Sequence, residues 1–192
     1  MAQVEIKNTK ILSDEHYTLK KLEYSLKQSN GTWDEQSRQV FDHGNAVTVL
    51  LYNKEQRTVI LTKQFRIATY INGNASGMLV EACAGLLEEN EDPDETVKRE
   101  VKEETGYEIK EIKKIYEAYT SAGSLTELLH FYVAPYSKDQ RVNEGGGLKE
   151  EGEDIKVMEV AFDDAWRMAE SGEMKDVKTI MLLQYALLNQ LI

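Results

Sequence analysis

The sequence predicts a mixed α/β protein in which a small antiparallel β unit precedes a larger sandwich of strands and helices. Two observations indicate this fold class. Alternating polar and apolar residues, typical of half-buried strands, recur in the first part of the chain, and β-branched or apolar runs follow them. The predicted order is then strands, one helix, strands and two helices, which differs from the repeating pattern of an all-parallel β-α-β sheet.

The N-terminal unit is predicted to be a small antiparallel sheet within residues 1–43. Alternation is seen at Leu22, Tyr24 and Leu26. Asn30-Gly31 is a turn signal between two such segments. With so few apolar residues the sheet is marginal alone, so we expect it to pack on the main domain or on a second subunit. The boundary is placed at His43-Gly44-Asn45, which leaves residues 44–192 for the main domain.

The main domain is predicted to begin with three strands, because three β-branched or apolar runs are separated by turn residues. The runs are AVTVLLYN at 46–53, RTVILTKQFR at 57–66 and GMLVEACAG at 77–85. The single cysteine, Cys83, lies in the third run, where no cysteine or histidine spacing suggests a zinc site. We therefore expect Cys83 to be a core residue rather than a nucleophile.

A helix is predicted to begin at Asp92. This residue suits the N-cap, Pro93 suits the first helical position, and Glu95 stands where a capping box has its acidic residue. Val97 and Val101 are one turn apart and are expected to face the core.

The chain after this helix, which is predicted to end at Gly106, contains patterns for three more strands and two more helices. Strands are expected at about 111–120, 127–134 and 155–162, and helices at 162–171 and 176–191. The Gly- and Glu-rich segment NEGGGLKEEGED, at 143–154, is predicted to be a loop.

The composition excludes several classes of protein. A chain of 192 residues with 41% hydrophobic and 30% charged residues should fold. No run approaches the ~18 apolar residues of a membrane span, and the N-terminus lacks the pattern of a signal peptide, so we expect no membrane partner and a cytoplasmic location. The net charge of −11 argues against a nucleic-acid partner. A small anionic ligand would then need a metal ion or a few placed cations.

Three glutamates on the predicted helix carry the strongest chemical signal. Glu100, Glu103 and Glu104 stand at i, i+3 and i+4, so their carboxylates share one side of the helix. Like charges at this spacing repel by about 0.2–0.5 kcal/mol per pair, whereas hard oxygen ligands gathered at one point suit Mg²⁺ or Mn²⁺. Taken alone, the cluster is more simply explained as a solvated acidic face, in which Lys98, Arg99 and Lys102 dilute the repulsion.

The residues around the cluster favour the metal site. The segment Gly85 to Gly106 fits G-x5-E-x7-R-E-U-x-E-E-x-G, where U is aliphatic. It resembles the signature of the Nudix hydrolases at every fixed position, and departs from it mildly at Tyr107, where an aliphatic residue is usual. The resemblance implies an α/β/α sandwich with a mixed sheet. It also implies an enzyme in which water attacks a phosphate of a nucleoside diphosphate linked to another group.

The resemblance also implies roles for the helix residues. Glu100 and Glu104 would be direct Mg²⁺ ligands, with Mn²⁺ possible in its place, and Glu103 would assist them. Arg99 would orient the carboxylates and Glu91 would pair with Arg99. The sequence leaves the number of metal ions open.

Two further ligands and a general base are implied by the same resemblance. The carbonyl of Ala84 would join the metal shell. In similar ADP-ribose pyrophosphatases a mobile loop supplies a glutamate base and, two residues later, a glutamate that reaches a metal; these map onto Glu151 and Glu153. The glycines at 145–147 would let such a loop close over substrate. If Glu151 is simply solvated, Glu127 and Glu103 are the next candidates for the base.

The chain resembles the Nudix subgroup that cleaves ADP-ribose and nucleotide sugars, and within it the bacterial GDP-mannose pyrophosphatases. The motifs shared with the latter are KILSD at 10–14, FDHGN at 41–45, LLYN at 50–53, QFRIAT at 64–69, INGN at 71–74 and NEGGG at 143–147. The resemblance implies a homodimer that hydrolyses GDP-mannose to GMP and mannose 1-phosphate, with the N-terminal unit of one subunit reaching the nucleotide site of the other. The implied substrate-binding residues are Ser37, Arg38, Gln39, Arg66, Ala84, Gly85, Leu86, Glu104, Glu127, Gly152, Glu153 and Lys178.

Three alternative functions stay open on sequence grounds. ADP-ribose or another nucleotide sugar could be the substrate of an enzyme with the same metal-binding helix. A non-catalytic nucleotide-binding module should have lost one of the helix carboxylates, yet all three are present. An RNA cap hydrolase would need a basic surface that this acidic chain does not favour. Taken singly, Arg66 could be an ordinary strand-end charge and Lys178 a surface lysine.

Overall fold

The computed structural model describes residues 3–192, so the first two residues of the predicted N-terminal unit lie outside the described residues. The chain forms two compact units. One comprises the residues up to 45 together with 118–129, and the other comprises 46–117 and 130–192. Within residues 3–192, no helix combines the length and the hydrophobicity that crossing a membrane requires.

The N-terminal sheet has three antiparallel strands, as predicted. They are β1 (Val4–Asp14), β2 (Thr18–Lys27) and β3 (Trp33–Asp42), in the order β1-β2-β3. The Asn30-Gly31 turn joins β2 to β3, and Gly31 has a φ of 87°, which a glycine adopts without steric cost. Ser25 is the one fully buried residue of these strands, so the sheet has almost no core of its own. Backbone hydrogen bonds between Phe41 and the loop residues Ser124 and Thr126 attach the segment 118–129 to this unit.

The second sheet contains seven strands. They are β4 (Ala46–Asn53), β5 (Thr58–Phe65), β6 (Met78–Glu81), β7 (Cys83–Leu86), β8 (Lys113–Tyr119), β9 (Leu128–Pro135) and β10 (Lys156–Ala161). The order is β10-β5-β4-β9-β8, with β6 paired to β5 and β7 paired to β4. The strand predictions are confirmed, except that the run at 77–85 forms two strands. It divides at Ala82, whose N–H donates to the Thr179 hydroxyl at 2.6 Å instead of to a neighbouring strand.

The helices are α1 (Ile67–Ile71), α2 (Pro93–Glu100), α3 (Phe162–Ser171) and α4 (Val177–Leu188). A π-helical turn, Val101–Thr105, continues α2, and short 3₁₀ turns lie at Lys138–Gln140 and Lys149–Glu151. The sequence did not indicate α1 or these turns, but it did predict the other helices.

The N-terminus of α2 begins as predicted, with Asp92 at the N-cap and Pro93 at the first helical position. The expected capping box is wrong. The Asp92 carboxylate accepts from the Asp94 N–H at 2.8 Å, and Glu95 accepts from the Lys98 ammonium instead of reaching back to the cap. A cap bonded to the second N–H of the helix still satisfies one of its unpaired donors.

The core of the larger unit lies between the sheet and α2. Val97 and Val101 are completely buried, as predicted, and pack with strand residues including Cys83. Tyr107 is also buried, and its ring lies edge-on to Tyr136 with the centroids 5.2 Å apart. The aromatic departure from the signature is therefore accommodated by packing, and the buried valines fix α2 and its glutamates against the sheet.

Candidate active site

The helix α2 and the π-helical turn after it together carry Glu100, Glu103 and Glu104 and form the glutamate helix, residues 93–105. Its last turn is wider than an α-helix. Val101–Thr105 forms a π-helical turn, and Gly106 ends it with a φ of 79°. The Thr105 hydroxyl donates to the Val101 carbonyl at 2.5 Å, inside this turn. Isolated π turns are rare and occur frequently at functional sites, because the extra residue redirects the side chains around it.

Two carboxylates of the helix lie directly against strand β7. The Glu104 side chain accepts a hydrogen bond from the Ala84 N–H at 3.3 Å and is almost wholly buried. The Glu100 carboxylate lies over Gly85, so closely that a Cβ at this position would come within 2.0 Å of the carboxyl carbon. The first glycine of the signature is therefore required by the position of Glu100.

Arg99 links the remaining acidic residues of the signature. Its guanidinium donates to both oxygens of Glu91, at 3.1 Å each, and to Glu103 at 3.0 Å, and it lies 2.8 Å from Glu100. Its Nη2 also donates to the Leu86 carbonyl at 3.4 Å. The hydrogen bonds from Arg99 lower the pKa of Glu91 to about 2. The predicted pairing of Glu91 with Arg99 is thus present, and the arginine contacts two of the three helix glutamates.

The electrostatics of Glu100 and Glu104 are those of carboxylates held together away from water. Burial, followed by the charges of nearby acids, raises the pKa of Glu104 to about 8. Burial also raises the pKa of Glu100 to about 7, with Arg99 opposing the shift and Glu103 adding to it. Glu153 contributes to both shifts, so the structure brings this loop residue close to the helix carboxylates.

These residues fit a hard divalent cation. Within residues 3–192, no three acidic, histidine or cysteine side chains converge into a ready-made ligand cluster. Glu100 is instead paired with Arg99, and Glu104 and Glu153 accept from the N–H groups of Ala84 and Leu148. Glu104 is buried and Glu100 is largely so, and their raised pKa values mean that ionising both is unfavourable unless a cation balances the charge. Carboxylate oxygens of this kind are what Mg²⁺ binds. The residues predicted to hold a metal therefore have the appropriate donor chemistry.

The triglycine segment joins the loop to the end of the glutamate helix, a contact that the sequence did not indicate. The N–H groups of Gly146 and Gly147 donate to the carbonyls of Glu104 and Glu103, at 2.9 and 3.1 Å. These carbonyls belong to the last helical turn, where no further helical N–H is available to them. A Cβ on Gly147 would lie 2.2 Å from the Glu153 carboxylate, which accepts from the Leu148 N–H at 2.9 Å. The glycines thus set the position of Glu153 relative to the helix.

Gly147→Ala is therefore expected to lower kcat/KM by up to ~100-fold, because the added Cβ would displace the Glu153 carboxylate. A displacement of about 1 Å in an active site can cost this much. The matched control is Gly172→Ala. Gly172 has a φ of 76° against 78° for Gly147, but no atom lies within 4 Å of its would-be Cβ. Both variants should lose similar stability from backbone strain, about 1–2 kcal/mol. Thermal unfolding and steady-state kinetics of the two variants check this. Equal kcat/KM in the two would show that Gly147 matters only through its backbone conformation.

Two predicted substrate contacts, Arg66 and Lys178, meet at a buried carboxylate that sequence reasoning had not assigned. Glu81 accepts from Arg66 Nε at 2.8 Å and from Lys178 Nζ at 3.1 Å. Lys178 also donates to Asp176 at 2.6 Å, and its side chain is only 18% exposed. Lys178 is therefore not a surface lysine. The two acids outweigh the effect of burial and raise its pKa.

The other predicted contacts lie apart from this cluster along the chain. Ser37, Arg38 and Gln39 are exposed on β3, an edge strand of the N-terminal sheet. Glu127 belongs to the same compact unit, where it accepts from the Thr120 hydroxyl at 3.0 Å and lies 3.6 Å from His43 Nε2.

In the larger unit, Glu151 and Gly152 are exposed at the end of the 3₁₀ turn Lys149–Glu151. They directly precede Glu153, whose carboxylate packs against Gly147. An exposed carboxylate next to a fixed one can reach a ligand that arrives from solvent.

Comparison with known proteins decides the family. Residues 42–182, which include the whole glutamate helix, match the NUDIX domain. The chain belongs to the Nudix family. Residues 3–41 match a second description, the GDP-mannose pyrophosphatase NudK N-terminal domain. The two matches of this Nudix chain together cover both sheets.

Curated relatives match this Nudix protein over nearly its full length. A protein from Shigella dysenteriae serotype 1 named GDP-mannose pyrophosphatase is 47% identical over 190 residues, which cover 99% of this chain and 98% of the relative. A protein of the same name from Escherichia coli strain K12 is 48% identical over 183 residues, covering 95% and 94% of the two chains. The predicted family and its fold class, with a mixed sheet and a small antiparallel one, are confirmed.

Proposed function

We propose that this Nudix protein is a hydrolase that cleaves the pyrophosphate bond of GDP-mannose, giving GMP and mannose 1-phosphate. The observation that carries the proposal is the similarity at 47% identity to proteins named GDP-mannose pyrophosphatase, which spans the N-terminal sheet as well as the catalytic helix. The retention of Glu100, Glu103 and Glu104 argues against a non-catalytic module, because each would be free to change in a protein that only binds nucleotides.

The residues at the helix and loop would hold the metal that the reaction requires. Mg²⁺, or Mn²⁺ in its place, would neutralise charge on the phosphate oxygens and lower the pKa of the attacking water. Glu100, Glu104, Glu153 and the Ala84 carbonyl are the proposed ligands. Arg99 keeps Glu100 and Glu103 in place through the contacts at 2.8 and 3.0 Å.

The chemistry that remains for the protein is proton transfer and orientation. Water attacks one phosphorus, the bridging P–O bond breaks, and the second phosphate leaves with the bonding electrons. Glu151 is the proposed base that takes the proton from the water, and its exposed position at the end of a 3₁₀ turn allows it to approach from solvent. Arg66 and Lys178 are proposed to contact the anionic diphosphate, with Gly85, Leu86 and Gly152 lining the substrate.

The active unit is proposed to be a homodimer in which Ser37, Arg38 and Gln39 of one subunit contact the nucleotide bound by the other. Glu127 is proposed to contribute a further contact. The N-terminal sheet supports this proposal, since it buries little of its own surface and exposes Val4, Ile6 and Trp33. A cytoplasmic location and a small-molecule substrate, without nucleic acid or membrane, complete the proposal.

Paired variants test the cross-subunit site. Arg38→Ala and Glu104→Gln, one from each proposed part of the site, are expected to be nearly inactive separately. A heterodimer of the two, purified through different tags, should regain about half the wild-type rate, because one of its two sites then combines unaltered parts. A heterodimer no more active than its parents would mean that each chain builds its site alone.

The substrate is tested by steady-state hydrolysis of GDP-mannose, ADP-ribose and a dinucleotide cap, measured side by side with Mg²⁺. We expect the highest kcat/KM for GDP-mannose. A preference for ADP-ribose would be consistent with the proposed metal site but would contradict the guanine and mannose assignments. A preference for the cap would contradict the nucleotide-sugar assignment as a whole.

A further inference from the structure

A network of four charged side chains lies where strand β6 meets the N-terminus of α4. Glu81 bridges Arg66 and Lys178, and Lys178 in turn bridges Glu81 and Asp176. The network contains two cations and two carboxylates, so its formal charge is zero. The cations are therefore held in place by their partners more than they are concentrated to attract an anion.

Glu81 is the centre of this network and is itself removed from water. Its side chain is only 4% exposed, and each of its two oxygens contacts a different cation. An ionised carboxylate is stable in such a place only when it is paired on all sides. Its backbone is fixed as well, because Glu81 is opposite Thr62 on β5, whose hydroxyl donates to the Glu81 carbonyl at 3.3 Å.

The α4 end of the network is equally rigid. Asp176 is the N-cap of α4, and its second oxygen accepts from the N–H and the hydroxyl of Thr179, at 3.0 and 2.6 Å. The same Thr179 hydroxyl accepts from the Ala82 N–H, next to Glu81. The end of β6, which carries Glu81, and α4, which carries Lys178, are thus joined by a hydrogen bond from the backbone as well as by charge.

Arg66 is the member of the network that is most exposed to solvent. Its side chain is 42% exposed, and Glu81 engages the Nε position. The contact with Glu81 does not use the two terminal nitrogens of the guanidinium. These nitrogens can donate in parallel to two phosphate oxygens. The charge of Glu104 contributes to the raised pKa of Arg66, so the guanidinium lies near the glutamate helix.

We propose that Glu81 is a positioning residue for phosphate recognition: its carboxylate fixes Arg66 and Lys178 together, so that both cations meet the diphosphate of the substrate in one orientation. The proposal rests on the pyrophosphatase function proposed above. It assigns no contact with substrate to Glu81, which acts only through the two cations.

Glu81→Gln separates positioning from simple electrostatics, because the two predict opposite results. Removing one buried negative charge leaves the cations in excess, so electrostatics alone predicts tighter binding of an anion and a lower KM. Positioning predicts a higher KM, since Arg66 then loses the carboxylate that holds it and Lys178 keeps only Asp176. We expect KM to rise roughly 10- to 100-fold, by analogy with the loss of the partners that orient metal-binding side chains, while kcat changes less.

Glu159→Gln is the matched control. Glu159 lies on β10 opposite Ile60 of β5, and it accepts from the Tyr136 hydroxyl at 2.9 Å and pairs with Lys138. Its replacement removes one partly buried carboxylate from the same sheet, with the same change in net charge. Its KM should stay at the wild-type value.

A mutant cycle shows whether Glu81 acts through the cations. In a chain that already carries Arg66→Ala and Lys178→Ala, adding Glu81→Gln should leave KM unchanged. A further rise in KM in that background would mean that Glu81 contacts the substrate or shapes the site directly, and would overturn the proposal.

The experiment is steady-state kinetics on GDP-mannose, with thermal unfolding measured in parallel. An unchanged or lowered KM for Glu81→Gln overturns the proposal, even when the melting temperature falls, because loss of stability alone does not alter the KM of the folded enzyme. Should Glu81→Gln not fold, Glu81→Asp takes its place; it keeps the charge but shortens the reach, and a wild-type KM would again overturn the proposal. Failure of the wild type and Glu159→Gln to cleave GDP-mannose would instead refute the proposed function.

Discussion

Replacing Glu104 with glutamine is expected to remove most of the activity and, at the same time, to stabilise the metal-free protein. Activity should fall by roughly 10³-fold in kcat, because a bound divalent ion contributes several kcal/mol to the transition state and each ~1.4 kcal/mol is a factor of ten. Glutamine has the size of glutamate and can still accept from the Ala84 N–H. The fold should therefore survive the change.

The gain in stability follows from the raised pKa of Glu104. Because the pKa is about 8 in the folded protein and 4.5 is its ordinary value, the folded state favours the protonated form. The stabilisation from this proton is complete below about pH 4.5 and is lost as the pH rises through 8. One pKa unit corresponds to ~1.4 kcal/mol, so glutamine, which carries no charge, should add a few kcal/mol at pH 9 and little at pH 5.

Thermal unfolding from pH 5 to 9, with and without Mg²⁺, checks this prediction. Mg²⁺ should raise the melting temperature of the wild type most at high pH and should have little effect on Glu104→Gln. Glu108→Gln is the control, since it removes an exposed carboxylate that pairs with Lys102. A metal-free Glu104→Gln that is less stable than the wild type at pH 9 would contradict the raised pKa of Glu104. A variant with wild-type kcat, or one that Mg²⁺ stabilises as much as the wild type, would contradict its assignment as a metal ligand.

Glu151→Gln is expected to lower kcat by roughly 10²- to 10⁴-fold, the contribution of a positioned general base. KM should change little, because the exposed side chain lies on a surface turn and is not assigned to binding. Mg²⁺ should stabilise this variant as it does the wild type.

Glu150→Gln provides the control for Glu151→Gln, because it lies in the same 3₁₀ turn and changes the charge equally. It should retain wild-type kcat. If Glu151→Gln instead keeps its kcat, the base lies elsewhere, and Glu127 and Glu103 are the next residues to replace.

The elements that sequence patterns predicted are those whose signals are local. Asp92, Pro93 and Gly106 define the ends of the glutamate helix because caps act within a few residues, and Val97 and Val101 mark its buried face. The strands likewise appear as short apolar or β-branched runs. The family signature added the proposal that these glutamates bind a metal, which periodicity alone could not separate from a solvated acidic face.

The features that sequence patterns missed depend on residues far apart in the chain. The division of one predicted strand at Ala82 depends on Thr179, and the pairing of Glu81 with Lys178 likewise spans 97 positions. The contact of Gly146 with the Glu104 carbonyl depends on how a loop returns to the helix. The glycine run was visible in the sequence, but its pattern indicated flexibility, whereas in the structure it satisfies the last carbonyls of the helix.

Identifying the products of GDP-mannose hydrolysis in ¹⁸O-labelled water, with Mg²⁺ present, tests the central claim most directly. Phosphorus NMR should show GMP and mannose 1-phosphate in equal amounts, with the label on the phosphate of one of them, as expected for attack of water on a pyrophosphate phosphorus. Release of GDP and free mannose, with the label on the sugar, would place the cleavage at the glycosidic bond and contradict the account.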